Sequence, residues 1–158
     1  MRWWWLTLMV LTTSCATSAP DAPAMTAVEV PIQLVGNVAL VATIVNGASG
    51  SALMIVDTGS TSTILTPRLL SRLGMVVPAD APKRKIRVVG GQTLDVPFIR
   101  IAKVQVSTAV MNDQEVGVYD IYPDSPIIDG LLGGDFLHRF RVTLDRNAKR
   151  MRLEPMGR

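Results

Sequence analysis

Asp57-Thr58-Gly59-Ser60 is the stretch of this 158-residue chain with the greatest chemical capacity. It follows directly on the apolar run Leu53-Met54-Ile55-Val56, which sets a carboxylate on a tight polar turn at the end of a buried strand. A charge in that position is costly unless hydrogen-bond donors surround it. Thr58 and Ser60 carry hydroxyls, and Gly59 lets the backbone fold closely around the acid. Ser60 is expected to donate its hydroxyl to the carboxylate, which favours the charged form and draws acid–base work towards low pH. By itself the tetrapeptide also fits a polar β-turn closing a strand, so its surroundings decide its meaning.

Those surroundings hold a second motif. Far downstream stands Ile127-Ile128-Asp129-Gly130-Leu131-Leu132-Gly133-Gly134-Asp135-Phe136-Leu137, in which Leu131-Leu132-Gly133 leads into a short helical turn. Asp57-Thr58-Gly59 followed by Leu131-Leu132-Gly133 resembles the paired signatures of the retropepsin-like aspartic proteases, in their bacterial form with a single Asp-Thr-Gly. The resemblance runs from Val28 to Pro155. It implies that Asp57 is catalytic, that Thr58, Gly59 and Ser60 form its loop, and that Leu131, Leu132 and Gly133 pack behind that loop. It further implies that the hairpin tipped by Gly90 and Gly91 is a flap closing over an extended polypeptide, which pairs with it as an added strand.

Hydrolysis of a peptide bond without a metal or a covalent nucleophile needs one group to take a proton from water and another to protonate the carbonyl. Two carboxylates about 3 Å apart do both, because like charges that close cannot both ionise. This chain has one Asp-Thr-Gly. A second copy must therefore supply the other acid, and a symmetric homodimer brings Asp57 to Asp57 across a two-fold axis. By resemblance to retropepsins, whose termini interleave, Val28–Leu34 and Met151–Pro155 are the expected interface strands. A non-catalytic protein that uses the same fold to bind peptides or to scaffold is the alternative, and its natural mark would be a lost acid.

Other chemistries find little support. Asp129 and Asp135 lie outside any Asp-Thr-Gly context and read as loop or helix-capping residues, while His138, the single histidine, reads as a surface or packing residue. No His/Cys/acid cluster has metal-ligand spacing. Gly90-Gly91 lies between strands and not before a helix, so it is no phosphate loop and no cofactor is implied. The net charge of +3 is modest. Lys83-Arg84-Lys85-Arg87 is the one dense basic run and reads as a solvated loop. Nucleic-acid binding would want a longer basic face with interleaved aromatics.

The elements that must position Asp57 are short strands. Val28, Val30, Ile32 and Leu34 alternate with polar positions, and Pro31 argues for an edge strand. Asn37–Val45 is β-branched and ends at Asn46-Gly47, a hairpin signal. Lys85–Val89 and Thr93–Ile101 flank Gly90-Gly91, and Phe140–Leu144 and Met151–Leu153 flank a turn at Arg146-Asn147. One helix is punctuated in full over Thr66-Pro67-Arg68-Leu69-Leu70-Ser71-Arg72-Leu73-Gly74, with Thr66 as N-cap, Pro67 at the first helical position and Gly74 as the stop. The expected fold is all-β, a small closed barrel of the retropepsin type with one or two short helices.

Residues 1–15 read as a signal peptide: Arg2 gives a positive end, Trp3–Leu11 an apolar run too short to span a membrane, and small residues follow. Leu11-Thr12-Thr13-Ser14-Cys15 resembles a lipoprotein processing box, implying lipidation at Cys15, the only cysteine, and a membrane-anchored protein facing the periplasm or cell exterior. An ordinary signal peptide cut near Ala16-Thr17-Ser18, leaving a soluble exported protein, is the alternative. Residues 16–27, rich in Ala, Pro, Ser and Thr, form a flexible tether, and residues 28–158 form the protease-like domain.

Overall fold

The computed structural model describes residues 26–47, 51–88 and 90–157. The alternation at the start of the domain produces β1 (Val28–Val35), with Val30 and Ile32 buried. It is followed by β2 (Val38–Val45), β3 (Ala52–Val56), β4 (Ile64–Leu65), α1 (Pro67–Arg72) and β5 (Lys83–Arg87). The second half comprises β6 (Thr93–Val106), β7 (Ala109–Val118), β8 (Gly130–Leu132), α2 (Gly134–Leu137), β9 (Phe140–Asp145) and β10 (Arg150–Pro155). The molecule is all-β with two short helices, as its punctuation indicated.

Strand order runs β5-β6-β7-β4-β8-β3-β2-β1-β10-β9, and β6 also pairs with β2. That extra pairing, Ile44 opposite Gln105 and Val45 opposite Val104, closes β6, β7, β4, β8, β3 and β2 into a hydrogen-bonded ring. Asn46 fastens the closure, its backbone N–H donating to Lys103 O and its side chain accepting from Lys103 N. The ring encloses an aliphatic core of Val41, Met54, Leu65, Ile101, Val104 and Leu132, extended by Phe136 and Leu137 of α2. Helix α1 is capped as its sequence reads: Thr66 Oγ1 accepts from Leu69 N at 3.1 Å, Pro67 opens the helix, and Leu69 and Leu70 are buried.

Several expectations are corrected. Strand β1 is an edge along each half rather than as a whole: Val28–Pro31 pairs with β10 and Ile32–Val35 with β2, no second strand pairs with either half among the described residues, and Pro31 sits where the strand changes partner. The missing N–H of proline is tolerated at such a switch. The basic run Lys83-Arg84-Lys85-Arg87 is not a loop but the exposed edge strand β5, where charge protects an open edge. Met151–Pro155 is β10, and over Arg150–Leu153 both its edges are already filled, by β1 and by β9. It has no free edge there to give to a second chain. The open edges of this terminal sheet, among the described residues, are β9 and the first half of β1. Cys15, the leader and most of the tether lie outside the described residues.

Candidate active site

Strand β3 delivers Asp57 to the surface. Its apolar residues anchor it in the core, and it lies parallel to β8, with Met54 opposite Gly130 and Val56 opposite Leu132. The ladder extends one step further, as Asp57 N–H donates to Leu132 O at 3.1 Å. Strand β4, which leaves the loop, pairs with the other side of β8, Ile64 opposite Leu131. The two strands that enter and leave the Asp57 turn therefore grip the same short strand, sharing Gly130 and Leu131. The structure brings the two motifs together in this way, although they lie far apart in the chain.

Within the turn, Asp57 Oδ1 accepts from the backbone N–H of Gly59 at 2.9 Å and of Ser60 at 3.2 Å. A Cβ on Gly59 would stand 3.3 Å from that oxygen, tighter than ordinary contact, so glycine permits the close wrap. The carboxylate is half-buried, Thr58 and Gly59 are exposed, and Oδ2 accepts no hydrogen bond among the described residues. One oxygen is fixed and the other is free to meet a ligand. The hydroxyl of Ser60, expected to reach the carboxylate, instead donates to Ser62 O at 3.0 Å. Ser60 supports the acid with its backbone, not its side chain.

A brace beneath the turn escaped the sequence reading. Asp135, at the start of α2, accepts from Thr63 N at 2.8 Å, Thr63 Oγ1 at 2.6 Å, Gln114 Nε2 at 3.0 Å and Phe136 N at 2.8 Å. Thr63 Oγ1 in turn accepts from Gly133 N at 3.1 Å. Gly134 N–H donates to Ser60 O at 2.7 Å and Asp135 N–H to Thr61 O at 3.2 Å. Asp135 thus does more than begin a helix; it locks the loop to the strand pair. Gly133 is required by space, since a Cβ there would lie 2.4 Å from the backbone carbon of Ser62.

Asp129 is likewise more than a loop residue. It is buried, accepts from Leu53 N at 3.0 Å and takes both guanidinium nitrogens of Arg72 at 2.7 and 3.1 Å, joining α1 to the start of β3. His138 is exposed, and its ring lies over Gly134. The hairpin of β5 and β6 is tipped by Gly90 and Gly91, both at positive φ (96° and 83°), a conformation that glycine adopts without strain. Gly91 N–H donates to Val88 O across the turn, and no hydrogen bond among the described residues ties this tip to the Asp57 loop. Grooves elsewhere are lined by Met75, Val76, Phe98 and Arg100, and by Val30, Val41 and Ile44. Asp57 lines neither.

Residues 40–136 match the family model for aspartyl proteases, and with more than half its length covered the chain belongs to that family. Among solved structures it is similar to a retropepsin-like aspartic protease from Rickettsia conorii, with a TM-score of 0.61 and 18% identity over 82% of this chain and 92% of that one. That likeness is one of fold, which is of the retropepsin-like type. Among curated proteins, no sequence matches this chain.

Proposed function

We propose that the protein is an aspartic endopeptidase whose active unit is a homodimer, with Asp57 contributed by each chain. The observation that carries this is the state of the Asp57 carboxylate: one oxygen held by two backbone N–H groups, the other open, at the mouth of the two-motif strand grip. In the dimer the two carboxylates share a proton. The ionised one takes a proton from a water molecule as that water attacks the peptide carbonyl, and the protonated one gives its proton to the carbonyl oxygen. The proton budget then belongs to the pair and not to either acid. An extended polypeptide is the substrate, and the β5–β6 hairpin serves as its cover. That Asp57 lines neither of those two grooves fits a site whose remaining walls come from a second copy.

The test is cleavage of unfolded casein by the purified protein, with and without pepstatin. Activity per chain is expected to fall on dilution through the dissociation range of the dimer. Specific activity that stays constant where sedimentation shows only monomer overturns the shared site.

The proposal extends to location. A leader ending at Cys15 and a tether over residues 16–27 place the domain outside the cytoplasm, anchored to a bacterial membrane by lipid on that cysteine. Labelling with a radioactive fatty acid is expected in the parent chain and not in Cys15→Ser. Label retained in that variant overturns the anchor.

A further inference from the structure

Strand β5 is the outer strand of the β5–β6 hairpin, and among the described residues nothing pairs with its free side. Four of its five side chains, Lys83, Arg84, Lys85 and Arg87, are exposed cations. Register with β6 sorts them by face. Arg84 lies opposite Val96 and Ile86 opposite Leu94, whereas Lys83, Lys85 and Arg87 share the other face with Asp95. On the first face the charges are already matched. Arg84 stands 4.4 Å from the centre of the Phe98 ring and pairs with Glu115 of β7, while Arg100 takes Asp113 at 2.6 Å and the other oxygen of Glu115 at 3.8 Å. This face also leads towards Asp57. A Cβ on Gly117 would meet side chains of Ile64, Val96 and Phe98, so the hairpin packs on the strand that leaves the Asp57 turn. On the second face the charges are not matched. Lys85 meets Asp95 at 3.1 Å in an exposed pair, and Lys83 and Arg87 have no carboxylate partner among the described residues.

Charge on an open edge turns away strands of like charge. The same charge admits a strand of opposite sign, because opposite charges directly across two strands are favourable and like charges are not. An extended polypeptide added to β5 sets alternate side chains over each face. Those over Lys83, Lys85 and Arg87 meet cations that the chain itself leaves largely unneutralised. Those between them meet Ile86, which is half-buried beside Leu94. The strand that fits β5 therefore carries acidic residues at every second position and apolar ones between. At about 3.3 Å per residue, β5 has room for three such acids.

We infer that β5 selects acidic polypeptide as the substrate of this protein, reading alternate acidic and apolar residues through Lys83, Lys85 and Arg87 on one face and Ile86 on the other. The inference rests on the endopeptidase reading of Asp57 and adds a substrate class to it. The occupant is a peptide and not another polyanion because the free edge offers backbone N–H and C=O groups, which an added strand pairs along its length.

The experiment uses the full chain and three labelled peptides with one apolar centre. Each is flanked on both sides by glutamate, lysine or serine at alternate positions with valine between. Binding is read by fluorescence anisotropy and cleavage as kcat/KM. The glutamate peptide is expected to lead the lysine peptide by about tenfold or more, with serine between them, since several cross-strand charge pairs change sign together. That lead should shrink as salt rises. Lys83→Glu combined with Arg87→Glu is expected to reverse the order, an outcome that misfolding cannot produce. Should that variant fail to fold, Lys83→Gln with Arg87→Gln is expected to level the three peptides. A parent protein that cleaves casein and treats the three peptides alike overturns the acidic preference and leaves the endopeptidase standing. A glutamate lead that the folded double variants leave unchanged overturns β5. Preferred binding of the glutamate peptide, with neither it nor casein cleaved, supports β5 and counts against the enzyme. An oligonucleotide of equal charge that binds as tightly as the glutamate peptide, and loses that binding in the double variants, overturns the peptide reading.

Discussion

Two carboxylates lie on segments that are hydrogen-bonded to each other, Asp57 on its turn and Asp135 at the start of α2, and they are held in opposite ways. Asp135 is met by four donors from Thr63, Gln114 and Phe136, spread over both of its oxygens. Asp57 is met by two, both on the same oxygen. A saturated carboxylate stabilises the backbone that feeds it and has no capacity left for a ligand. A half-satisfied one at the surface keeps that capacity. The difference lies in donor count, because the residue type is the same and both residues are partly buried. One acid builds the site so that the other can remain unfinished.

Removing the open acid is the largest blow this contrast allows. Asp57→Asn takes away both members of the proposed dyad at once and is expected to reduce casein cleavage by at least about 10³-fold, since positioned acid–base groups contribute on that scale. Its melting temperature should stay near that of the parent, because Asn keeps the shape and can still accept from Gly59 and Ser60. Cleavage at the parental rate would break the comparison outright.

Steric closure behind the turn comes next. Gly133→Ala drives a Cβ into the backbone of Ser62 and is expected to cost more than about 3 kcal/mol in urea unfolding, towards the severe end for overpacking. Gly134→Ala is the contrast, because the atoms nearest its Cβ would belong to the exposed ring of His138, which can swing aside. It is expected to cost under about 1 kcal/mol, the low end for overpacking, since a flexible side chain yields where backbone does not.

Asp135→Asn tests the saturated acid. An amide nitrogen would replace an oxygen where donors converge, and a loss of about 2–3 kcal/mol is expected, the worth of hydrogen bonds to a charged group. Activity should fall in step with the folded population, a relation that unfolding and cleavage at one chain concentration can check. The smallest effect is expected of Ser60→Ala. Its hydroxyl serves Ser62 O and not the carboxylate, so most activity should remain and the rate–pH profile should keep its position. A clear shift of that profile would show that the side chain turns towards Asp57 in the dimer.

The sequence made the strand-and-turn skeleton legible where local chemistry governs it. Thr66, Pro67 and Gly74 bounded a helix because capping depends on neighbours a few residues away, and Asn46-Gly47 marked a turn for the same reason. Asp57 was legible because an acid after a buried strand is costly and so demands a purpose. The role of Asp135 was not, since its partners Thr63 and Gln114 are 72 and 21 positions away and no local pattern joins them. The hydroxyl of Ser60 was misplaced because two acceptors lay within reach, and only the path of the turn decides between them. Pro31 suggested an edge for β1, and each half of that strand does pair on one side only, because the strand changes partner at the proline. Strand β7 went unread, although it pairs with β6 along nearly its whole length.

The grip of β3 and β4 on β8 also sets the order in which the protein can become competent during synthesis. Asp57 leaves the ribosome long before Gly130–Asp135 do, and without those residues its turn lacks both the parallel partner strand and the Asp135 brace. Contacts so distant in sequence form late, because loop closure must precede them. A nascent chain therefore carries its acid as an unorganised side chain until nearly the whole domain has been made. The topology alone thus delays assembly of the Asp57 turn until the domain is nearly complete.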